Sequence, residues 1–278
     1  MVNFLAFLYN KTWIGEYSKL IIAVANQKGG VGKTTTSINT AACMAERGKK
    51  VLLIDADPQG NATTGLGIDK RQVEHSLYDV LINGLPAQDA VVPTETEGLF
   101  LIPSNIDLAG AEIELVSVMA RETILRRALV SVKKHYDYII IDAPPSLGLV
   151  TLNALSAADS ILVPIQCEYY AMEGLSQLVN TISLVKRNLN KKLEIEGVVL
   201  TMYDGRTNLS TQVAEEIRKF FGEKVHNALI PRNVRLGEAP SYGMPISQYD
   251  PKCVGAEAYF ALADEIIERT GMKSGNEE

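Results

Sequence analysis

The amino-acid sequence predicts an α/β fold, a mostly parallel twisted sheet flanked by helices. Two observations lead to this prediction. Apolar runs of strand length alternate with helical patterns from residue 20 onward, and such alternation is typical of a parallel sheet with right-handed crossovers. Several of the runs are continuous rather than alternating with polar residues, as expected for strands that are covered on both faces.

The predicted strands follow the apolar runs in chain order. They lie at residues 20–25, 50–54, 99–102, 138–141, 160–164, 195–202 and 228–231. Helical patterns lie between these runs and after the last one. They cover residues 34–47, 121–134, 174–190, 210–221 and 256–269, and Gly48 gives the first of them a C-terminal stop.

The domain organisation follows from length and composition. The chain has 278 residues, of which 46% are hydrophobic and 22% charged, as is ordinary for a soluble globular protein. We expect a single domain over residues 20–270, because no repeat, low-complexity tract or linker interrupts it. Residues 1–19 are predicted to be a loosely attached extension without the features of a secretory signal. Residues 271–278 are predicted to be a polar, frayed tail.

Charge and cysteine content narrow the class of protein. The net charge of −6 argues against a generally basic surface, although a local basic patch remains compatible with it. The three cysteines and three histidines are scattered, which indicates reduced cytosolic thiols and no His/Cys metal cluster. No apolar run reaches the roughly 18 residues that a membrane span requires.

The segment "NQKGGVGKTT", residues 26–35, predicts a phosphate-binding loop between the first strand and the first helix. It ends in the G-K-[ST] of the P-loop pattern, although Gln27 stands at the first glycine position. Backbone N–H groups and the helix N-terminus would hold the phosphates. Lys33 would bridge the β- and γ-phosphates, and the Thr34 hydroxyl would bind Mg²⁺. The predicted nucleotide contacts within the loop are Gly29, Gly30, Val31, Gly32, Lys33, Thr34 and Thr35.

Two further segments place acidic residues at strand ends. "YDYIIIDAPPS", residues 136–146, puts Asp142 at the carboxyl end of a strand, where α/β sheets bind ligands, and Asp142 is predicted to hold Mg²⁺ through a water. "VLLIDADPQGN", residues 51–61, puts Asp55 and Asp57 on the same edge. We expect Asp55 to cap the following turn and Asp57 to orient an attacking or Mg²⁺-bound water. Lys33, Asp57 and Asp142 are thus the predicted catalytic residues.

The loop, with Lys28 as signature lysine, resembles that of the ParA/MinD group of P-loop ATPases, which carry the variant K-G-G-V-G-K-T. Other segments resemble the chromosomal ParA (Soj) branch, among them "DADPQGNATTGLG", "IIIDAPPSLGLVTLNAL" and "IPRNVRLGEAPSYGMPISQYDP". Together they extend over residues 20–270. The resemblance implies an ATPase of weak intrinsic activity that uses ATP and Mg²⁺.

The resemblance also implies roles for single residues. Lys28, a fourth predicted catalytic residue and a further nucleotide contact, would reach across a two-fold interface to the phosphates of the partner subunit, so that two ATP molecules are sandwiched in a homodimer. A cation supplied in trans offsets phosphate charge and makes the ATP dimer differ in energy from the ADP monomer. Pro231 and Asn233 would contact the adenine. Arg206 and Arg235 would contact double-stranded DNA without sequence preference, and the affinity would fall with salt.

The partners implied by the resemblance are proteins of chromosome segregation. A ParB-type centromere-binding protein would stimulate hydrolysis and release the dimer from the nucleoid, and DnaA is a second candidate partner. The expected process is partitioning of replication origins in the cytoplasm.

Three alternatives remain open. A MinD-like, membrane-associated ATPase that positions the division site would need a basic amphipathic C-terminal helix. The chain ends in "ERTGMKSGNEE" instead, which argues against this alternative, and only the apolar run at residues 4–9 keeps a membrane contact open. A metabolic or iron–sulfur relative would need suitably placed cysteines. A scaffold without turnover is disfavoured by the presence of both Asp57 and Asp142.

Overall fold

The computed structural model describes residues 19–169 and 171–274, so the predicted extension, apart from Lys19, lies outside the described residues. A sheet forms the centre of the fold. Its strands are β1 Leu20–Val24, β2 Val51–Asp55, β3 Val92–Pro93, β4 Leu99–Ile102, β5 Tyr138–Asp142, β6 Ser160–Gln166, β7 Glu194–Tyr203 and β8 Val225–Pro231. Their order is β3-β4-β2-β5-β1-β6-β7-β8. All neighbours are parallel except β3, which runs antiparallel to β4 at one edge. The predicted fold class is therefore confirmed.

Helices cover both faces of the sheet. They are α1 Lys33–Glu46, α2 Asn61–Gly65, α3 Leu108–Glu114, α4 Ile124–Lys133, α5 Leu149–Ala157, α6 Ala171–Asn188, α7 Asn208–Phe221, α8 Val234–Glu238, α9 Ile246–Tyr249 and α10 Val254–Ser274. One apolar core lies between the sheet and α3 to α7, and a second lies under α1, α2, α8, α9 and α10. Every residue of β2 and β5 is buried, which explains why these strands are apolar without alternation.

Several elements differ from the sequence prediction. The strand β3 and the helices α2, α3, α5, α8 and α9 were not predicted, and the predicted helix at residues 121–134 begins with a 3₁₀ turn at Arg121–Thr123. The helix α10 continues to Ser274 and so overlaps the start of the tail at residues 271–278, whose predicted fraying stays a prediction. The helix gains its stability from apolar packing against α1 and β8, and residues 275–278 lie outside the described residues.

Strand register positions the functional edge of the sheet. Asp142 at the end of β5 is the register partner of Val24 in β1 and of Asp55 in β2. On the other half of the sheet, Tyr203 of β7 pairs with Pro231 of β8. Because parallel strands end at one edge, the loop after β1, both carboxylates and the loops after β7 and β8 converge there.

Candidate nucleotide-binding site

The loop between β1 and α1 has the backbone that anion binding requires. Gly30 and Gly32 have φ values of +74° and +85°, in the left-handed region that a residue with a Cβ rarely adopts. The helix α1 begins directly afterwards, at Lys33, so the backbone N–H groups of its first turn and its dipole face the loop. A phosphate is well suited to this position.

Lys33 is held inside the loop. Its side chain is largely buried, and its ammonium donates a hydrogen bond of 3.1 Å to the Lys28 carbonyl oxygen. Desolvation lowers the pKa of Lys33, while the nearby carboxylates of Asp142 and Asp57 act in the opposite direction. The Lys33 amine therefore lies between the loop and the two carboxylates. This is the position predicted for a lysine that binds the phosphates.

Asp142 is fully buried at the end of β5. Its Oδ1 atom accepts a hydrogen bond of 2.8 Å from the Ser37 hydroxyl, and the nearby Thr34 side chain favours the charged form of the carboxylate. Burial and then the charge of Asp55 raise the pKa of Asp142 to about 7. Its Oδ2 atom has no partner among the described residues.

The oxygens of Asp142 and Thr34 fit Mg²⁺. Both are hard ligands of the kind that Mg²⁺ prefers, and a cation would satisfy the orphaned oxygen and favour the ionised carboxylate. Within residues 19–169 and 171–274, His, Cys, Asp and Glu form no group of three or more that could hold a metal ion. Mg²⁺ in phosphate-binding sites is commonly held by one or two protein oxygens together with phosphate oxygens.

The two aspartates after β2 occupy different environments. Asp55 is buried, and its Oδ2 atom accepts hydrogen bonds from the Thr63 backbone at 2.8 Å and the Thr63 hydroxyl at 2.7 Å. It thereby stabilises the start of α2, in the capping role assigned to it. Burial raises the pKa of Asp55 to about 6.

Asp57 is half-buried, and its Oδ1 atom accepts from the Gln59 backbone at 2.9 Å. The negative charge of Asp57 acts on the nearby Lys33 ammonium. At this position the Asp57 carboxylate can bind a water.

A pocket extends from the phosphate loop to the ends of β7 and β8. Its walls include Gly32, Thr35, Thr201, Met202, Ile230, Pro231, Arg232, Asn233, Leu236, Gly237 and Tyr259. Pro231 and Asn233, the predicted adenine contacts, therefore line the same cavity as the start of α1. The side-chain oxygen of Asn233 accepts from the Arg235 backbone at 2.8 Å and caps α8, so its amino group is the one that remains to bind a base.

Sequence reasoning missed seven residues of this pocket, and three of them have contacts or backbone conformations that shape it. The Thr201 hydroxyl donates to the Val31 carbonyl oxygen at 2.9 Å and joins β7 to the phosphate loop. The Tyr259 hydroxyl lies 3.2 Å from the Thr36 hydroxyl, which connects α10 to α1. Met202 has a φ of 51°, a strained conformation for a residue with a Cβ. Nothing in the local sequence marks these residues, since their partners are distant in the chain.

The Lys28 side chain contacts a segment outside the phosphate loop. Its ammonium forms an ion pair with Glu168, in the segment after β6, and both side chains remain about one-third exposed, at 33% and 36%. Gln27, which replaces the usual glycine, donates through its side chain to the Thr181 hydroxyl at 2.9 Å. The first half of the loop is therefore tied to the β6–α6 region rather than closed over the nucleotide site.

Of the predicted DNA contacts, Arg206 lies in the loop that follows β7, and Arg235 lies in α8, which follows β8. Arg206 is an exposed side chain that bonds Asp204 through two nitrogens, each at 2.8 Å. Arg235 pairs with Glu238 at 2.9 Å and with Asp250 at 3.4 Å. The two arginines thus share one edge of the protein, and DNA phosphates would compete with carboxylates for them.

Among the helices in residues 19–169 and 171–274, none combines the length and apolar character needed to cross a membrane.

The sequence is similar to that of known proteins over most of its length. A family profile described as an AAA domain matches residues 19–195. The chain is 61% identical over 246 residues to the sporulation initiation inhibitor protein Soj of Bacillus subtilis, covering 88% of this chain and 97% of that protein. It is 55% identical over 251 residues to the chromosome partitioning protein ParA of Caulobacter vibrioides, covering 90% and 94%.

A solved structure shares the architecture. The crystal structure of cobyrinic acid a,c-diamide synthase from Mycobacterium smegmatis with bound ADP and magnesium superposes with a TM-score of 0.80 and 40% identity, over 92% of this chain and 96% of that one. The variant phosphate loop, the parallel sheet and the high identity over nearly the full length of Soj and ParA agree with one another. The chain belongs to the ParA/MinD superfamily of P-loop ATPases, within the chromosomal ParA (Soj) branch.

Proposed function

We propose that this ATPase is an ATP-dependent switch for partitioning chromosomal origins. In this proposal two chains sandwich two ATP molecules, and the homodimer binds DNA without sequence preference until hydrolysis releases it. The separation of the two loop lysines is the observation that carries the proposal. Lys33 is buried within its own loop, whereas the Lys28 ammonium is partly exposed and paired with Glu168 outside the loop. A cation placed at the rim of a phosphate site is suited to the phosphates of a second subunit.

The chemistry rests on residues at the sheet edge. Lys33 and the first turn of α1 would bind the β- and γ-phosphates, and Thr34 with Asp142 would hold Mg²⁺. Bound Mg²⁺ would neutralise charge that develops on the phosphate oxygens. Asp57 would orient the attacking water. The ADP and magnesium in the mycobacterial structure support the assignment of ATP and Mg²⁺ as cofactors.

DNA and partner proteins are proposed on the relatives' names together with the arginine positions. Arg206 and Arg235 would bind phosphates along one face of the dimer, with strong salt dependence. A ParB-type centromere-binding protein would stimulate hydrolysis, and DnaA is a second candidate partner. The dimer would act on the cytoplasmic nucleoid.

The MinD-like alternative is less well supported. A membrane-targeting C-terminal helix would have to expose an apolar face. In α10 the side chains of Tyr259, Leu262 and Ile266 are instead buried against the second core. Among the described residues, the C-terminal helix is therefore a structural element rather than an anchor.

Sedimentation velocity with ATP, ADP or no nucleotide tests the proposed switch. We expect a dimer only with ATP. The variant Lys33→Ala should remain monomeric and lose nucleotide binding, because the phosphates lose their main buried cation, while the exposed control Lys252→Ala should behave like the wild type. A nucleotide-independent monomer or dimer in the wild type would refute the switch, and retained ATP affinity in Lys33→Ala would refute the role of Lys33.

A further inference from the structure

The helix α3, with the 3₁₀ turn Leu115–Ser117 that continues it, is apolar on two opposite sides. Its inner side packs into the core through Leu108, Ala111 and Leu115, all buried. An amphipathic surface helix would carry polar residues on the opposite side. Here that side carries a second apolar row, which we call the outer stripe. It consists of Ala109 and Ile113 on α3 and Val116 on the 3₁₀ turn, and it is extended by Ile106 and Met119 in the turns before and after them.

The outer stripe is strongly exposed. Ile113 is 78% exposed, Ile106 68%, Val116 58% and Met119 90%. The spacing of four and three residues puts Ala109, Ile113 and Val116 on one side of α3 and its 3₁₀ turn. Single exposed apolar residues are ordinary, but a contiguous row of them marks an interaction surface.

The charges beside the outer stripe are mostly negative. Asp107, Glu112 and Glu114 lie among its residues. Arg121 follows the stripe and donates to the Val116 carbonyl oxygen, but it is paired with Glu122 and adds no net positive charge. In the part of the chain that the structure describes, none of these three acids forms an ion pair with Lys, Arg or His. Glu114 accepts instead from the neutral Tyr78 hydroxyl at 3.0 Å. The surface therefore presents apolar side chains within a negative field, and its complement is apolar and positive.

The stripe is also connected to the nucleotide site. Glu112 projects from α3 to the N-terminus of α5, where its carboxylate accepts from the Leu149 backbone at 2.6 Å and the Val150 backbone at 3.1 Å. Leu149 and Val150 begin α5 and directly follow the short segment, residues 143–148, that starts after Asp142. A displacement of α3 would therefore act on the segment that follows the magnesium carboxylate.

We propose that the outer stripe binds a short basic amphipathic helix of a partner protein. The apolar face of that helix would cover Ile106, Ile113 and Val116, and its lysines or arginines would approach Asp107 and Glu114, as in helix recognition by an apolar surface. A second copy of this chain is a poorer occupant. In a two-fold interface the same patch meets itself, so the acids of one stripe would face those of the other.

Binding is tested with a synthetic peptide rather than with an identified partner. The probe is a fluorescein-labelled peptide of about 18 residues, long enough for a marginal helix, with leucines at helical spacing and lysines elsewhere. Its control has the same composition in an order that breaks the period. Fluorescence anisotropy is measured without nucleotide for the wild type, Ile113→Asn and the matched control Leu184→Asn, whose side chain is 57% exposed on α6.

We expect the wild type and Leu184→Asn to bind the helical peptide alike and Ile113→Asn to bind it about tenfold more weakly, as for a central apolar contact. The double variant Asp107→Asn/Glu114→Gln should bind more weakly with less dependence on salt. Unchanged affinity in Ile113→Asn, or equal binding of the scrambled peptide, would overturn the proposal. Loss of the ATP dimer in Ile113→Asn without peptide would also overturn it, since the occupant would then be a second copy. Circular dichroism of the variant checks that it folds.

The effect on hydrolysis rests on the proposed function, whereas binding does not. If the peptide binds and changes ATP turnover, α3 is both a docking surface and a control element. If it binds without changing turnover, the connection through Glu112 is wrong. If the wild type binds the peptide but neither dimerises with ATP nor hydrolyses it, the proposed switch fails while the docking surface stands.

Discussion

The Lys28 ammonium forms an ion pair with the Glu168 carboxylate, 140 positions along the chain. The pair holds the first half of the phosphate loop against the segment after β6. If Lys28 serves a second subunit, it must first leave Glu168. The pair therefore opposes dimerisation by the free energy of a partly exposed ion pair, which is about 0–1 kcal/mol per subunit.

Removing the charge of Glu168 should favour the ATP dimer. We expect Glu168→Gln to tighten the dimer by about two- to tenfold with unchanged ATP affinity, as measured by sedimentation equilibrium and fluorescent-nucleotide binding. The control is Glu194→Gln, which breaks the surface pair with Lys186 and should have no effect. A weaker dimer in Glu168→Gln would mean that this carboxylate belongs to the interface instead.

A substitution at Gly29 should impair dimerisation without impairing folding. A Cβ built at this position meets no atom within 4 Å, and the residue needs no positive φ. The isolated chain should therefore accept Gly29→Val with a change in unfolding free energy within about 0.5 kcal/mol. We expect ATP to bind and the dimer to fail, because the added bulk lies beside Lys28 where two loops would meet. Gly271→Val, which is equally open, is the control. A normal ATP dimer of Gly29→Val would contradict the loop-to-loop arrangement.

Asp57 is predicted to serve hydrolysis rather than binding. The variants Asp57→Ala and Asp57→Asn should both lower turnover by about 10²-fold or more, since each removes the charge that orients water. Asp57→Asn keeps an oxygen for the Gln59 backbone, so a loss shared by both variants excludes a defect of the turn. Both should accumulate an ATP dimer that stays on DNA. Normal phosphate release by either one would show that another group positions the water.

His226 should make folding sensitive to acid. Its ring is fully buried, with Nδ1 3.2 Å from a Glu265 oxygen, and Glu196 and Arg269 also face it. Burial and then the Arg269 charge lower the pKa of His226. As the pH falls below about 6.5, the unfolded chain gains a proton that the folded chain does not, so stability is full above this pH and decreases below it.

The expected contribution has a maximal slope of about 1.4 kcal/mol per pH unit. Urea unfolding of the wild type and of His226→Gln between pH 5 and 8 isolates it, because the other titrating groups are common to both proteins. The variant should lose stability less steeply towards acid. Parallel curves would exclude His226 as the source.

Much of the framework was predictable from sequence, and the failures have physical causes. Long apolar strands such as β5 were recognised because burial on both faces leaves a continuous signal. The helix α5 was missed because nearly all its residues are buried, which removes the amphipathic period. The strand β3 has only two residues and is defined by its partner rather than by its own sequence.

The site divides in the same way. The phosphate loop, Asp142 and Asp57 follow strands in short recognisable segments. The contacts of Lys28 with Glu168 and of Thr201 with Val31 join residues 140 and 170 positions apart, and only the three-dimensional fold determines such pairs.

Nucleotide-dependent DNA binding distinguishes the proposed switch from its alternatives. Gel shifts with unrelated duplexes are run with ATP, ADP or no nucleotide, comparing the wild type with Arg206→Ala and Arg235→Ala. The control is Arg71→Ala, because Arg71 pairs with Asp69 two residues away, just as Arg206 pairs with Asp204. The account predicts sequence-indifferent binding with ATP alone, retained in Arg71→Ala and strongly weakened in the other two. Absence of binding with ATP, or equal binding with ADP, would contradict it.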